Sequence, residues 1–342
     1  MGRKFMSDRI NRQVCLAARP EGLPKSTDWS IVEEPVVALG PGEILVKVRY
    51  ISVDPAMRGW MNDRPSYVPP VRLGAVMRAL TVSEVVESNN ASYQVGDWVA
   101  GLDGVQDYMV SDGAQYMKVD IALAPPQTYL GTLGIAGLTA YCGLFEVGEQ
   151  KTGDTVLVSG AAGSVGAHVG QLTKIKGGRT IGVAGGVEKC AYLTDELGFD
   201  AAIDYKNENV YSGLKRTCPD GVDVFFDNVG GDVLNNGLAF INVGARVVIC
   251  GAISQYNKTT SIQGPSNYMM LLIRRASMKG FIYFDYRHKW PAMLEDLAMW
   301  RSEGKITGRE DIAEGPVDIF PDTLCRLFQG DNFGKLIIRL PM

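Results

Sequence analysis

The sequence predicts an α/β protein of two domains, an N-terminal barrel-like β domain followed by an open, doubly wound parallel sheet with helices on both faces. Three observations carry this expectation. The chain has 342 residues, more than one hydrophobic core usually serves. Strand and turn signals dominate up to about residue 125, and from about Thr128 the apolar period changes to a βα alternation. Near the middle, Val156-Leu-Val-Ser-Gly-Ala-Ala-Gly-Ser-Val-Gly166 runs a β-branched strand through a glycine-rich turn into a helix. The apolar positions Val165, Val169, Leu172 and Ile175 share one face of that helix. In such a unit, backbone N–H groups and the helix N-terminus receive a pyrophosphate.

The elements follow in order. Residues 44–53 alternate inward and outward, as do 80–86 and 98–102. Gly40-Pro-Gly42, Pro69-Pro70 and Val95-Gly-Asp97 punctuate them. Residues 130–149 read as a broken helical connection. Strands are then expected at 155–159, 180–184, 201–205, 222–227, 247–250 and 278–283. Helices are expected at 164–176, closed by Gly177-Gly178, and at 188–197, closed by Gly198. Residues 291–302 form the last long helix expected. The tail ends in a strand at 335–340 that returns to the first domain. The predicted boundaries are residues 1–125, completed by 306–342, and residues 126–305.

Bulk properties bound the function. A net charge of −4 argues against a general nucleic-acid partner, and no apolar run approaches a membrane span. Arg3, Lys4, Arg9 and Arg12 are not followed by an apolar stretch, so no secretory signal is expected. Met6 stands where N-myristoylation wants Ser or Thr. The six cysteines (15, 142, 190, 218, 250 and 325) are scattered and read as free thiols. Neither His168 nor His288 has ligands at metal-binding spacing, so no metal site is expected. A cytoplasmic enzyme fits these features.

The turn departs from G-x-G-x-x-G in that Ala161 replaces the first glycine. A tight turn without a ligand is the ordinary alternative. The second strand ends Gly182-Val-Ala-Gly-Gly186, with no acid where an NAD enzyme would hold the ribose 2′-hydroxyl. Lys189 follows, suited either to a 2′-phosphate or to a solvated helix face. Tyr205 could reach the same phosphate or pack on adenine. The missing acid and Lys189 together favour NADP(H). Two further strand ends carry small and polar residues, Asp227-Asn-Val-Gly230 and Cys250-Gly-Ala-Ile-Ser-Gln-Tyr-Asn257. Asn228 suits a hydrogen bond to ribose or amide, or a cap on its own turn. Tyr256 suits a place facing the nicotinamide, or a domain seam.

With these residues in hand, the chain resembles the zinc-independent medium-chain dehydrogenases/reductases, in particular the prostaglandin, plant alkenal double-bond and NADPH-dependent curcumin reductases. Its landmarks are Ser52-Val-Asp-Pro-Ala-Met-Arg-Gly59, Gly96-Asp-Trp-Val99, Gly137-Leu-Thr-Ala-Tyr141, Ala161-Ala-Gly-Ser-Val-Gly166, Val183-Ala-Gly-Gly-Val-Glu-Lys189, Leu197-Gly-Phe-Asp200, Asp227-Asn-Val-Gly-Gly231, Cys250 to Asn257 and Asn332-Phe-Gly-Lys335. The curcumin-reductase type is nearest, from Pro65-Ser-Tyr67, Pro69-Pro70 and the 182–186 segment.

The resemblance implies a GroES-like β-barrel catalytic domain and a Rossmann domain. It implies that Gly163, Ser164, Val165 and Gly166 hold the pyrophosphate, with Lys189 and Tyr205 near the 2′-phosphate. Asn228, Cys250, Gly251, Ala252, Ile253, Ser254, Tyr256, Phe281, Ile282 and Tyr283 would line the nicotinamide side, and Asn332 would reach the cofactor from the tail. Arg58 and Tyr67 are pocket candidates, although Arg58 is equally suited to a structural ion pair. Ala56 stands where relatives often carry tyrosine, which implies a wider pocket.

The implied reaction is reduction of the C=C bond of α,β-unsaturated ketones and aldehydes. Tyr256 would donate to the enolate oxygen or protonate the α-carbon, since a phenol of pKa about 10 keeps its proton at neutral pH. A homodimer joined at the strand over 278–283 is expected. The alternatives are an NADPH:quinone oxidoreductase and a nucleotide-binding protein without chemistry.

Overall fold

The computed structural model describes residues 5–341. Arg3, Lys4 and the side chain of Met6, on which the N-terminal readings rest, lie outside the described residues. In chain order the strands are Phe5–Leu16 (β1), Trp29–Val37 (β2), Ile44–Ser52 (β3), Thr81–Ser88 (β4), Trp98–Gly101 (β5), Tyr108–Ser111 (β6), Met117–Val119 (β7), Thr155–Ser159 (β8), Arg179–Ala184 (β9), Ala201–Asp204 (β10), Val222–Asp227 (β11), Ile241–Ile249 (β12), Ser277–Gly280 (β13), Glu310–Glu314 (β14) and Lys335–Arg339 (β15). They fall into two compact units. The first comprises residues 1–130, 310–331 and 336–342, and the second residues 131–309 with 332–335.

The first unit is built on a seven-stranded sheet of order β14-β15-β3-β4-β5-β7, with β6 also paired to β3; β1 and β2 form a two-stranded ribbon. The β3 ladders with β4, β6 and β15 run antiparallel. The burial pattern of β3, inward at Ile44, Val46 and Val48, follows the period of two that the sequence shows. Met57, Trp60, Met77, Phe320, Leu324 and Ile338 share one apolar cluster.

Within this unit the structure corrects one expectation. The last long helix is not the one ending at Ser302 but Phe320–Gln329. Phe320, Thr323, Leu324 and Leu327 are buried at helical spacing, Pro321 occupies the first turn, and Gly330 closes the helix in the left-handed region.

The second unit contains a six-stranded parallel sheet of order β10-β9-β8-β11-β12-β13. Chain order reverses between β8 and β11, so the crevice lies outside the carboxyl ends of those strands. Val156, Leu157, Val158, Phe225 and Phe226 are fully buried, as strands covered on both faces require.

Helix Ser164–Ile175 crosses from β8 to β9, and the expected broken connection appears as Ile135–Tyr141 continued by a π-turn over Cys142–Val147. In this unit two strand limits differ from expectation by more than one residue. β12 begins at Ile241 rather than Val247, because Gly244 at φ 76° absorbs a register shift against β11. β13 stops at Gly280, and Tyr283 opens a 3-10 turn, because the Tyr283 ring stacks on Trp290 at 5.2 Å. Among the described residues no helix is long and apolar enough to cross a membrane.

Candidate functional site

The glycine-rich turn is held by backbone contacts that exclude side chains. Gly160 turns at φ 59°, and Ala161 N donates to Val183 O at 3.0 Å. A Cβ on Gly166 would lie 2.5 Å from Gly160 O and 2.8 Å from Ala161 Cα. Gly163 caps the following helix without a side-chain hydrogen bond, which leaves its first N–H groups for another partner. The Ser164 hydroxyl at the helix start is buried without a hydrogen-bond partner. Ala161 is tolerated because Gly182 on β9 is bare: a Cβ there would come within 2.9 Å of the Ala161 methyl. His168, one turn into the helix, bridges Ser164 O and the Thr132 hydroxyl, and burial pushes its imidazole pKa down.

Across the switch point, Ser159 and Asp227 meet at the ends of β8 and β11. The Ser159 hydroxyl donates to Asp227 Oδ1 at 2.6 Å, and the Gly230 and Val229 amides donate to the same carboxylate at 2.9 and 3.2 Å. Burial pushes the Asp227 carboxyl up, against the pull of these three donors. The Asn228 side-chain amide donates to Ser159 O at 2.7 Å, so it anchors its turn.

The 250–256 loop is stitched to this turn: Cys250 N and Gly251 N donate to Asp227 O, Ile253 N to Asn228 O, and Ser254 N to Val229 O. Burial, then the Asp227 charge, pushes the Cys250 thiol up to about 12, so it stays protonated. The half-buried Tyr256 closes the loop, its hydroxyl oxygen accepting Ala252 N–H at 3.1 Å. The sequence marks Asp227 only as part of a polar strand end and gives Ser159 no role, yet these are the groups that set this loop.

A second constellation forms at the end of β9. The Tyr205 ring lies against Gly185, where a Cβ would meet it at 2.8 Å. Asp204, at the end of β10, accepts from Gly186 N at 2.7 Å and from the Asn207 amide at 2.7 Å. An acid therefore does approach this turn, but its oxygens hold the backbone. The Lys189 ammonium stands 6.0 Å from the centre of the Phe333 ring and the Arg309 guanidinium 3.8 Å from it. Arg309, like Phe333, is a neighbour that sequence reasoning did not single out. Asn332–Lys335 groups with the second unit, since Gly334 N donates to Ala162 O at 3.2 Å and the Asn332 amide to Gly334 O at 3.0 Å.

The remaining candidates separate. Phe281 packs edge-on against Phe226, in space that a bare Gly143 leaves open. Ile282 follows it in extended conformation. In the first unit, Tyr67 borders a cavity of about 450 Å³ lined by residues 63–70 and accepts from Trp60 Nε1 at 2.9 Å. Arg58 is buried, and its guanidinium donates to Gly22 O, Pro20 O and Asn62 Oδ1, the contacts of a structural anchor. Among the described residues no group of three or more His, Cys, Asp or Glu side chains is placed to hold a metal ion.

Comparison with known proteins sets these residues in a family. Residues 12–119 match the domain described as the N-terminal domain of oxidoreductase, and residues 164–299 the domain described as zinc-binding dehydrogenase. The chain is 43% identical over 335 residues to the NADPH-dependent curcumin reductase of Escherichia coli (strain K12), covering 96% of this chain and 97% of that one. It is 38% identical to the NADP(+)-dependent 2-alkenal reductase of Nicotiana tabacum over 96% of this chain and 97% of that one. Among solved structures, CurA from Vibrio vulnificus in complex with NADPH superposes with a TM-score of 0.92 at 41% identity, covering 97% of this chain and 99% of that one. The chain belongs to the zinc-independent branch of the medium-chain dehydrogenases/reductases, the oxidoreductases that include the curcumin, 2-alkenal and prostaglandin reductases.

Proposed function

We propose that the protein is an NADPH-dependent reductase of the C=C bond of α,β-unsaturated ketones and aldehydes. The observation that carries this reading is the Tyr256 loop, stitched by Asp227, Asn228 and Val229 to the carboxyl ends of β8, β11 and β12. The residues present fit the cofactor. The partnerless Ser164 hydroxyl, the uncapped helix and the Gly163–Gly166 cradle suit a pyrophosphate. Lys189 and Tyr205, with Arg309 as a second cation, suit the adenosine 2′-phosphate. Bound NADPH supplies a hydride for the β-carbon of the substrate.

The protein's part is to orient and to manage a proton. As negative charge develops on the substrate carbonyl oxygen, the Tyr256 hydroxyl donates to it or delivers a proton at the α-carbon. Asp227 and Ser159 hold the loop that aims this hydroxyl. The test is a panel of enals, enones and quinones with NADPH and NADH in parallel, followed by nicotinamide absorbance and product mass. A saturated carbonyl product supports the reading; turnover of quinones alone overturns it. Lys189→Ala should shift the ratio of KM(NADPH) to KM(NADH) about tenfold or more toward NADH, the scale of one charge-assisted contact. An unchanged ratio removes Lys189 from the phosphate site.

We place the protein in a reducing compartment such as the cytoplasm, which suits its six free thiols. We also propose a homodimer paired along β13. This edge strand is exposed at all four residues, and the neighbouring helix Met269–Arg274 leaves Leu272 70% and Ile273 57% exposed. Sedimentation at micromolar concentration should give twice the 37.1 kDa chain mass; a clean monomer excludes the pairing.

A further inference from the structure

In an open parallel sheet the two halves of a dinucleotide lie on either side of the point where strand order reverses. In the second unit β9 and β10 lie on one side of that point, and β12 and β13 on the other. Lys189 and Tyr205, suited to the adenosine 2′-phosphate, follow β9 and β10, which leaves the nicotinamide half to the side of β11, β12 and β13. Residues 281–283 leave the carboxyl end of β13. The Tyr256 loop leaves the end of β12, where Ile249 pairs with Gly280.

Both ends of this short segment are held. The Phe281 ring packs edge-on against Phe226 at 6.3 Å, in the space left by the bare Gly143. The Tyr283 ring stacks on Trp290 at 5.2 Å with the two planes 10° apart, and the Trp290 indole N–H donates to the Tyr283 carbonyl at 3.2 Å. Trp290 thus grips one residue twice, by its ring and by its backbone. Ile282, between the two held residues, is drawn out at φ −126° and ψ 129°, and its carbonyl accepts Asp285 N at 3.0 Å. Trp290 is itself a fixed post. It opens helix Trp290–Ser302, whose Met293, Leu297 and Trp300 are buried and whose Asp296 accepts the Tyr141 hydroxyl at 2.7 Å. Phe281, Tyr283 and Trp290 all pack on one apolar cluster with Leu138, Cys142 and Met293. A leucine would fill the same cluster, but it could neither stack nor donate.

We infer that Trp290 is a positioning residue for the nicotinamide half of the cofactor site. It acts through Tyr283, fixing the path of residues 281–283 against which the nicotinamide ring lies. This inference rests on the proposed NADPH-dependent reductase reading. The test compares NADPH with adenosine 2′,5′-bisphosphate, which carries the adenosine and its 2′-phosphate but no nicotinamide. Both are titrated calorimetrically into wild type, Trp290→Leu, Trp290→Phe and Tyr283→Leu.

Trp290→Leu should raise the Kd for NADPH about tenfold or more, the scale of one ring stack and one hydrogen bond. Its Kd for the bisphosphate should stay at the wild-type value. Trp290→Phe keeps a stacking ring without the N–H and should recover part of the loss. Tyr283→Leu should show the same selective loss, and the double variant should lose little more than either single one, because both changes break one pair. A Trp290→Leu protein that keeps its NADPH affinity, or that loses both ligands alike, overturns the inference, as do losses that add in full. Thermal unfolding of each variant, with Trp290→Phe as the milder change, checks that lost affinity is not a lost fold. Activity separates the two readings. If wild type reduces no enone but Trp290→Leu loses NADPH selectively, the reductase reading fails and the positioning role stands. If enones are reduced and Trp290→Leu binds NADPH as wild type does, the reverse holds.

Discussion

Tyr256→Phe should lower kcat on a good enone about a hundredfold, with the KM for NADPH changing far less. Removing a single donor to a developing oxyanion costs about 3 kcal/mol, and phenylalanine removes only the hydroxyl while keeping the ring. The loop should survive, because Cys250 N, Gly251 N, Ile253 N and Ser254 N all bond to carbonyls of residues 227–229, not to the phenol. The Ala252 N–H loses its acceptor, at a stability cost of about 1 kcal/mol. Steady-state kinetics on one enone, with thermal unfolding alongside, reads both effects. Wild-type turnover in the variant would remove Tyr256 from the chemistry.

Gly166→Ala should raise the dissociation constant for NADPH about a hundredfold and destabilise the second unit by about 1–3 kcal/mol. The added methyl would sit 2.5 Å from Gly160 O and 2.8 Å from Ala161 Cα. Both are backbone atoms, so no rotamer change relieves the clash and the turn itself must move. A turn displaced by even a few tenths of an ångström misaims the amides of Ser164 and Val165. Gly59→Ala is the matched control, since a Cβ there meets nothing within 4 Å. Calorimetric titration with NADPH and thermal unfolding check the pair; tight cofactor binding by Gly166→Ala would show that the cradle is not where the pyrophosphate sits.

What the sequence shows of this fold is what short-range physics decides. β8, helix Ser164–Ile175, β10 and β11 are legible because strand, turn and helix signals lie within a few residues of each other. Helix Phe320–Gln329 is harder to see: its apolar face is interrupted by Thr323, and Pro316 and Pro321 read as loop punctuation although Pro321 is a helix starter. The first half of β12 is hidden by Asn242, Gly244 and Arg246.

Of the candidate site, the glycine turn and the tyrosine loop stand out by residue type. The groups that hold them do not. Ser159 and Asp227 are 68 positions apart and become a pair only when β8 and β11 align. Arg309 and Phe333 meet Lys189 only through the tail.

The bare Gly182 beside the Ala161 methyl bears on how such turns are found in other sequences. Two positions 21 residues apart share one pocket of space across neighbouring strands. The first glycine of the fingerprint is therefore a statement about combined volume rather than about one residue. A side chain is admitted on the turn when the facing strand gives up its own. A search that weighs both positions would recover chains that a glycine-only pattern discards.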